Sequence, residues 1–238
     1  GIPYSGSNDA SDSGDLIDDE SSRRIDFDIE AFPMESGDRE GVVNMLTQIF
    51  LRADIDLEGF ANSIIAQSPL GLVFGPAEDQ SEEESENVVY GVVTAVSLIN
   101  LGNAPKFMKD ILDFLEMKSR KFALKEFRDA LEVAKSKRTG IFINERMLNF
   151  PYQIRRMTIR DLSNADVIFD NVEDKVLYQI CEGEANFFDY PVHSEVESSS
   201  KFHILVKDGK SYKPYRRVVV MDIKRFDAFL EQVINGVF

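Results

Sequence analysis

Cysteine occurs once, as Cys181, and histidine twice, as His193 and His203. One cysteine excludes an intrachain disulfide and fits a reducing compartment. It stands beside Glu182 and Glu184, carboxylates that disfavour a thiolate, so it reads as an inert thiol rather than a nucleophile. The histidines lie ten residues apart, outside any ligand spacing, which argues against a metal site. Glu182 and Glu184 suit an acid and base pair by residue type, but this spacing is more often that of solvated acids. Neither Gly-x4-Gly-Lys-Ser/Thr nor Gly-x-Gly-x-x-Gly after a strand occurs, so no nucleotide fingerprint is present. No cofactor, metal or catalytic set is expected from the residues.

A secretory start is lacking too. Gly1 is not an initiator Met, so the sequence reads as a fragment. The longest uncharged run, residues 87–105 (NVVYGVVTAVSLINLGNAP), is too polar at its end for a membrane helix, and its Val-rich start suits a buried strand.

Positive charge is scarce in one half only. Residues 1–90 hold 21 Asp and Glu against 4 Lys and Arg, a balance of −17; residues 91–238 hold 21 against 23, a balance of +2. The acidic part repels nucleic acid phosphates and suits a basic protein partner. Residues 1–24 are Ser, Asp and Gly with few apolar side chains, expected to be a disordered acidic segment. Residues 75–87 (GPAEDQSEEESEN) read as an acidic loop whose Glu82, Glu83, Glu84 and Glu86 are candidate partner-binding residues.

Apolar residues make up 43% of the 238-residue chain, enough for a sizeable core. Val42, Val43, Leu46, Ile49 and Phe50 mark one helix, and Leu57, Phe60, Ala61, Ile64 and Ile65 a second that ends at Ser68-Pro69. Met108, Ile111, Leu112 and Leu115 predict a third helix opened by Pro105. Leu124, Phe127, Leu131 and Ala134 predict a fourth, and Ile154, Met157, Thr158 and Leu162 another. Strands are expected at 71–74, 88–100, 140–144, 166–169, 176–180, 187–192, 202–207 and 216–221, those at 88–100, 140–144 and 216–221 interior. Phe226, Phe229, Leu230 and Val233 give a last amphipathic helix, 223–236, packing on the sheet. The pattern predicts a single α-β-α layered domain over residues 25–238 with a mixed, twisted sheet.

Residues 140–154, GIFINERMLNFPYQI, place adjacent opposite charges after an uncharged strand. Glu145-Arg146 are expected where strand 140–144 leaves the sheet, orienting the connection through local salt bridges; Asn149 reads as an N-cap and Pro151 as a first-turn residue. A binding role for Glu145 and Arg146 is the sharper alternative.

IDFDIEAF, VVNMLTQIFLRADIDLEGFANSIIAQSPLG, YGVVTAVSLINL, INERMLNFPYQI, EANFFDYPVH and YRRVVVMDIKRFDAFLEQV resemble, in order and wording, the BCCIP family of eukaryotic nuclear proteins, over residues 25–160 and 183–235. Asn144 stands where the family usually has Ser and Tyr152 where it has a second Pro, and residues 163–182 are shorter than the family's Lys-rich insertion. The resemblance implies an acetyltransferase-like (GNAT-like) α/β fold without that activity, and a nuclear binding protein. Fungal members are chaperones for a large-subunit ribosomal protein and assist nuclear export of a lipid kinase; animal members bind a repair tumour suppressor and a cyclin-dependent kinase inhibitor. The expected function is therefore a nuclear, non-enzymatic escort of a basic client such as a large-subunit ribosomal protein, without membrane or direct nucleic acid contact. A scaffold for repair or cell-cycle complexes is one alternative. An acyl-CoA-dependent transferase is the other, resting on Gly102-x-Ala104 between strand and helix, where Ile99 stands in place of the required basic or amide residue.

Overall fold

The computed structural model describes residues 28–77, 88–98, 104–147, 172–181, 186–196, 205–207 and 210–237. Its largest sheet has four strands in the order β1 (Ile29–Pro33), β2 (Leu72–Pro76), β3 (Gly91–Ser97) and β4 (Gly140–Arg146). Every pairing among the described residues is antiparallel, so the expected mixed sheet is corrected. Pairs of helices, rather than short hairpins, carry the chain from β1 to β2 and from β3 to β4.

The first pair is α1 (Arg39–Phe50) and α2 (Leu57–Ala66). Asp56 caps α2 by accepting from the Gly59 N–H at 2.9 Å, and its own N–H donates to Asp110 Oδ2 at 3.0 Å. That bond ties the start of α2 to α3 (Lys106–Phe122). Gly71 turns the chain into β2 at φ +95°, where a Cβ would lie 2.5 Å from Thr94 Oγ1. Only glycine takes both that backbone and that approach without strain.

The second pair is α3 and α4 (Lys125–Lys135). The expected faces hold: Val42, Leu46, Phe60, Ile64, Ile111, Leu112, Phe127 and Leu131 are buried. Leu124 is a correction. It is the exposed residue before α4, in extended conformation, and takes no part in that helix face. Phe60 stacks on Phe107 with centroids 4.6 Å apart, and Phe50 leans on Phe60 and, edge-on, on Phe114. This aromatic column fills the space between α1, α2, α3 and the Val92/Val96/Ile143 side of the sheet.

The C-terminal third begins with α5 (Val172–Ile180). A strand over 176–180 is thereby overturned: Val172, Val176, Leu177 and Ile180 recur at helical spacing, and that period prevails over the β-branched content. Strands β5 (Phe187–Pro191) and β8 (Tyr215–Val219) form a two-stranded sheet, and β6 (Leu205–Lys207) and β7 (Lys210–Tyr212) form a hairpin at the KDGK turn. Among the described residues β8 pairs only with β5, so the 216–221 run is not interior there. Strand 140–144 continues to Arg146 and, among the described residues, pairs only with β3, at the edge of the described sheet and not in its interior; of its first five residues only Ile143 is buried. The 88–100 strand is interior but shorter, Gly91–Ser97.

Helix α6 (Ile223–Val237) closes the described chain. Phe226 meets Phe142 of β4 edge-on at 5.0 Å, and Phe229 is buried beside it. Packing on the sheet is as expected, while Ile234 turns outward. The helix around 154–162 and the strand at 166–169 lie outside the described residues.

Candidate functional site

Glu145 and Arg146 end β4, and the pleat of a strand sends neighbouring side chains to opposite faces. Glu145, only 8% exposed, turns to the face of α1. It accepts a hydrogen bond from Arg216 Nη1 at 3.3 Å and one from the Arg146 N–H at 3.0 Å. The other Arg216 nitrogen, Nη2, donates to the Gln48 carbonyl of α1 at 2.7 Å. One guanidinium thus joins α1, β4 and β8. Arg146 points to the other face and forms an ion pair with Glu173 in the first turn of α5. An acid there also suits the helix dipole.

Strand β8 uses the same device with two cations. Arg216 serves the α1 face, and the next residue, Arg217, serves the α5 face. Arg217 donates two hydrogen bonds to Asp189 of β5, at 2.7 and 2.6 Å. Its guanidinium lies 3.9 Å from the Phe187 ring centroid and 4.5 Å from that of Tyr178. Burial disfavours this cation, but the hydrogen bonds to Asp189 and its charge outweigh burial, holding the guanidinium above its ordinary value.

A third cation joins the helical layer to the small sheet. Lys118 of α3 pairs with Glu195 at 2.5 Å and sits 4.7 Å from the Tyr190 ring centroid. Burial pushes the Tyr190 hydroxyl up to about 12, with Arg216 lowering it and Glu195 adding to the rise.

Of the sequence-predicted site residues, the structure brings Glu145 and Arg146 into one network with Arg216 and Glu173, with the Arg217–Asp189 pair on the next residue of β8. The expected local backbone hydrogen bond is present, from the Arg146 N–H to Glu145, while the ion pairs of the two side chains reach far along the chain, to Arg216 and Glu173. Glu82, Glu83, Glu84 and Glu86 lie outside the described residues, as do Asn149, Pro151 and Gly102. The sequence reading missed Arg216, Arg217, Glu173 and Asp189. A usable signal was present in the Arg-Arg pair heading RRVVVM, since neighbouring charges on a strand need partners on two different faces. These charges are occupied by one another, which leaves Glu145 and Arg217 as ties between elements rather than acids or bases. Among the described residues no three His, Cys, Asp or Glu gather as metal ligands, and no helix is long and apolar enough to cross a membrane.

Both acidic stretches join the sheet at one end. The Ala77 N–H donates to the Asp28 carbonyl at 3.0 Å, and Ile29 pairs with Pro76. Tyr90 N–H donates to Phe74 O at 2.7 Å, and Gly91 pairs with Arg146. Residues 1–27 and 78–87 are therefore attached where β4 ends. They contain seven and six acidic residues respectively, against Arg23 and Arg24.

Comparison with known proteins gives a consistent family. The family model described as BCCIP matches residues 24–177. The chain is similar to "Protein BCCIP homolog" of Caenorhabditis elegans, 36% identical over 90% of this chain and 80% of that one. The protein of the same name from Drosophila melanogaster is 24% identical over 90% and 85%. "BRCA2 and CDKN1A-interacting protein" of Bos taurus is 25% identical over 55% of this chain and 44% of its own. Among solved structures, BCP1 from Saccharomyces cerevisiae superimposes with a TM-score of 0.49 at 13% identity, covering 90% of this chain and 93% of that one.

Proposed function

The chain belongs to the BCCIP family, and from that premise we propose that it is a non-enzymatic nuclear escort for a basic protein client, of the class of large-subunit ribosomal proteins. The observation that carries this is the −17 balance of residues 1–90, together with the attachment of both acidic stretches beside Asp28 and Ala77 at one end of the sheet. An acidic escort neutralises a basic client before it meets RNA. Folded surface supplies the shape-specific contact, and the acidic stretches raise the association rate in a salt-dependent way.

Replacing Glu82, Glu83, Glu84 and Glu86 together with Gln slows association at low salt and leaves dissociation nearly unchanged. Association as fast as wild type would reduce the segment to a solubilising loop. Co-expression with basic ribosomal proteins, one at a time, identifies the client by which of them stays soluble; rescue of none would defeat the escort reading. A fluorescent fusion of the full chain tests the nuclear location and, on blocking export, whether the protein shuttles as an escort in ribosome biogenesis would.

A repair or cell-cycle scaffold is the second reading, favoured by the name of the cattle relative. Pull-downs that recover repair or cell-cycle proteins without ribosomal ones would put it first. The layered architecture is read as an acetyltransferase-like scaffold used for binding. Calorimetric titration with acetyl-CoA checks this: silence is expected, and micromolar binding would return the acyltransferase reading.

A further inference from the structure

The charges of the described chain are sorted by region. Residues 28–77 carry eight Asp and Glu against Arg39 and Arg52, whereas residues 118–138 carry eight Lys and Arg against three acids. Met117, Arg120 and Lys121 recur at i, i+3 and i+4, the spacing of one helix face, and all three are exposed on α3. Leu124, just past that helix, is 64% exposed. Glu116 pairs with both Arg120 and Lys135, and Lys135 also reaches Glu132. The last turn of α4 is thereby held beside α3. The chain then turns into β4 through Lys137, whose N–H donates to the Ala134 carbonyl, and Arg138. Arg120, Lys121, Lys135, Lys137 and Arg138 thus have only Glu116 and Glu132 between them. Lys121, Lys137 and Arg138 have no acid partner among the described residues. Met117 and Val133 stay exposed on the same two helices.

We propose that this cationic face of α3 and the α4–β4 turn is the docking site for Asp15–Glu20 of the same chain, held there until a basic client takes them. The described cations set the sign of the occupant, and the exposed Met117, Leu124 and Val133 call for apolar side chains among its acids. Residues 78–87 contain no apolar side chain, whereas Asp15-Leu16-Ile17-Asp18-Asp19-Glu20 sets an apolar pair among four carboxylates. Ile17 stands eleven residues before Asp28, a reach of up to about 36 Å. Asp28 lies at the end of the sheet where Gly91 meets Arg146, and Arg138 next to the opposite end, where Ser97 meets Gly140. Strand rise and spacing put those ends about 25 Å apart. A tether that spans its site holds the occupant at roughly millimolar effective concentration, so weak charge pairs suffice. Release rests on the escort reading: a basic client competes for the same carboxylates, and the α3 cations stand in for it in the free protein.

A nitroxide attached at Ser13→Cys in the full chain reads the contact by NMR, since Cys181 is 0% exposed and is spared by the label. At low salt the amides of Arg120, Lys121, Lys137 and Arg138 should lose most of their intensity, and high salt should restore it. Lys137→Glu with Arg138→Glu, at two exposed turn positions, should restore Arg120 and Lys121 with unchanged circular dichroism. Persistent loss at both in that variant overturns the proposal. So does loss at the same amides when labelled protein is mixed with unlabelled, isotope-enriched protein, which assigns the face to a second copy. No loss in either sample leaves the face to an acidic segment of another protein and overturns it equally. Oligolysine, used as the basic competitor, should restore all four amides. If a ribosomal protein binds and the four amides stay broadened, a client does not release the segment; the proposal fails and the escort reading stands. If co-expression rescues no ribosomal protein, the escort reading fails, while the broadening and its loss to oligolysine still decide the docking.

Discussion

Helices α1 to α4 with their sheet, and the C-terminal group of α5, β5, β8 and α6, are held by different balances of apolar packing and charge. The first region is a column of aromatic and aliphatic side chains, in which Phe60 and Phe107 are 0% and 1% exposed. The second joins that core through Phe188 and Tyr190 of β5, which lie against Phe127 and Phe114, and is tied in addition by cations, with Arg216 on Glu145, Arg217 on Asp189, and Lys118 on Glu195. Apolar burial is non-directional and scales with area, whereas charged ties require geometry and lose most of their worth when one partner is removed. The first region should therefore respond to lost volume, and the second to lost complementarity as well.

The largest effect expected is in the aromatic column. Phe107→Ala removes a fully buried ring stacked 4.6 Å from Phe60, and should cost about 3–5 kcal/mol in denaturant unfolding. A similar cost from Phe229→Ala would show that α6 shares this kind of packing, since Phe229 is also buried. Next comes the alkaline limb. With Tyr190 raised to about 12, its contribution is fully present below the ordinary phenol value near 10 and is lost as pH rises through about 12. Stability should fall by about 2–3 kcal/mol across that window, and Tyr190→Phe should remove this part of the fall. In the charged region, Glu145→Ala leaves Arg216 part-buried and unpaired on that side, at a cost of about 2 kcal/mol. Adding Arg216→Met should restore part of it; an additive loss would mean that the two do not act as a pair. Smallest is Arg39→Ala. Arg39 and Glu58 are 53% and 57% exposed, and the change should cost less than about 0.5 kcal/mol.

Helical period was the legible signal. Val42/Leu46, Phe60/Ile64, Ile111/Leu112 and Phe127/Leu131 mark faces that the structure buries, because each repeats a local spacing that needs no knowledge of the partner. Strand neighbours were not legible. GIFIN and RRVVVM read as interior because uncharged or β-branched runs suit a strand covered on both sides, yet pairing is a long-range property and both strands have one partner among the described residues. Leu124 shows the limit of periodicity at an element boundary, where the backbone is extended and the count no longer applies. Of the candidate site, Glu145-Arg146 stood out in the sequence. The Arg216-Arg217 pair carried a signal of two-faced charge but not its partners, and Glu173 and Asp189 carried none, since a charge says nothing about what lies 28 or 71 residues away.

The alternation of Glu145 and Arg146 on β4, met by Arg216 on one face and Glu173 on the other, has a consequence for folding errors. A slip of β4 by one residue exchanges the two faces. Arg146 would then confront Arg216, and Glu145 would confront Glu173, so two attractions become two repulsions. Ile143 on the buried face resists the same slip, and the charges add to it. The dipeptide works as a parity check on the strand, penalising any misalignment by an odd number of residues.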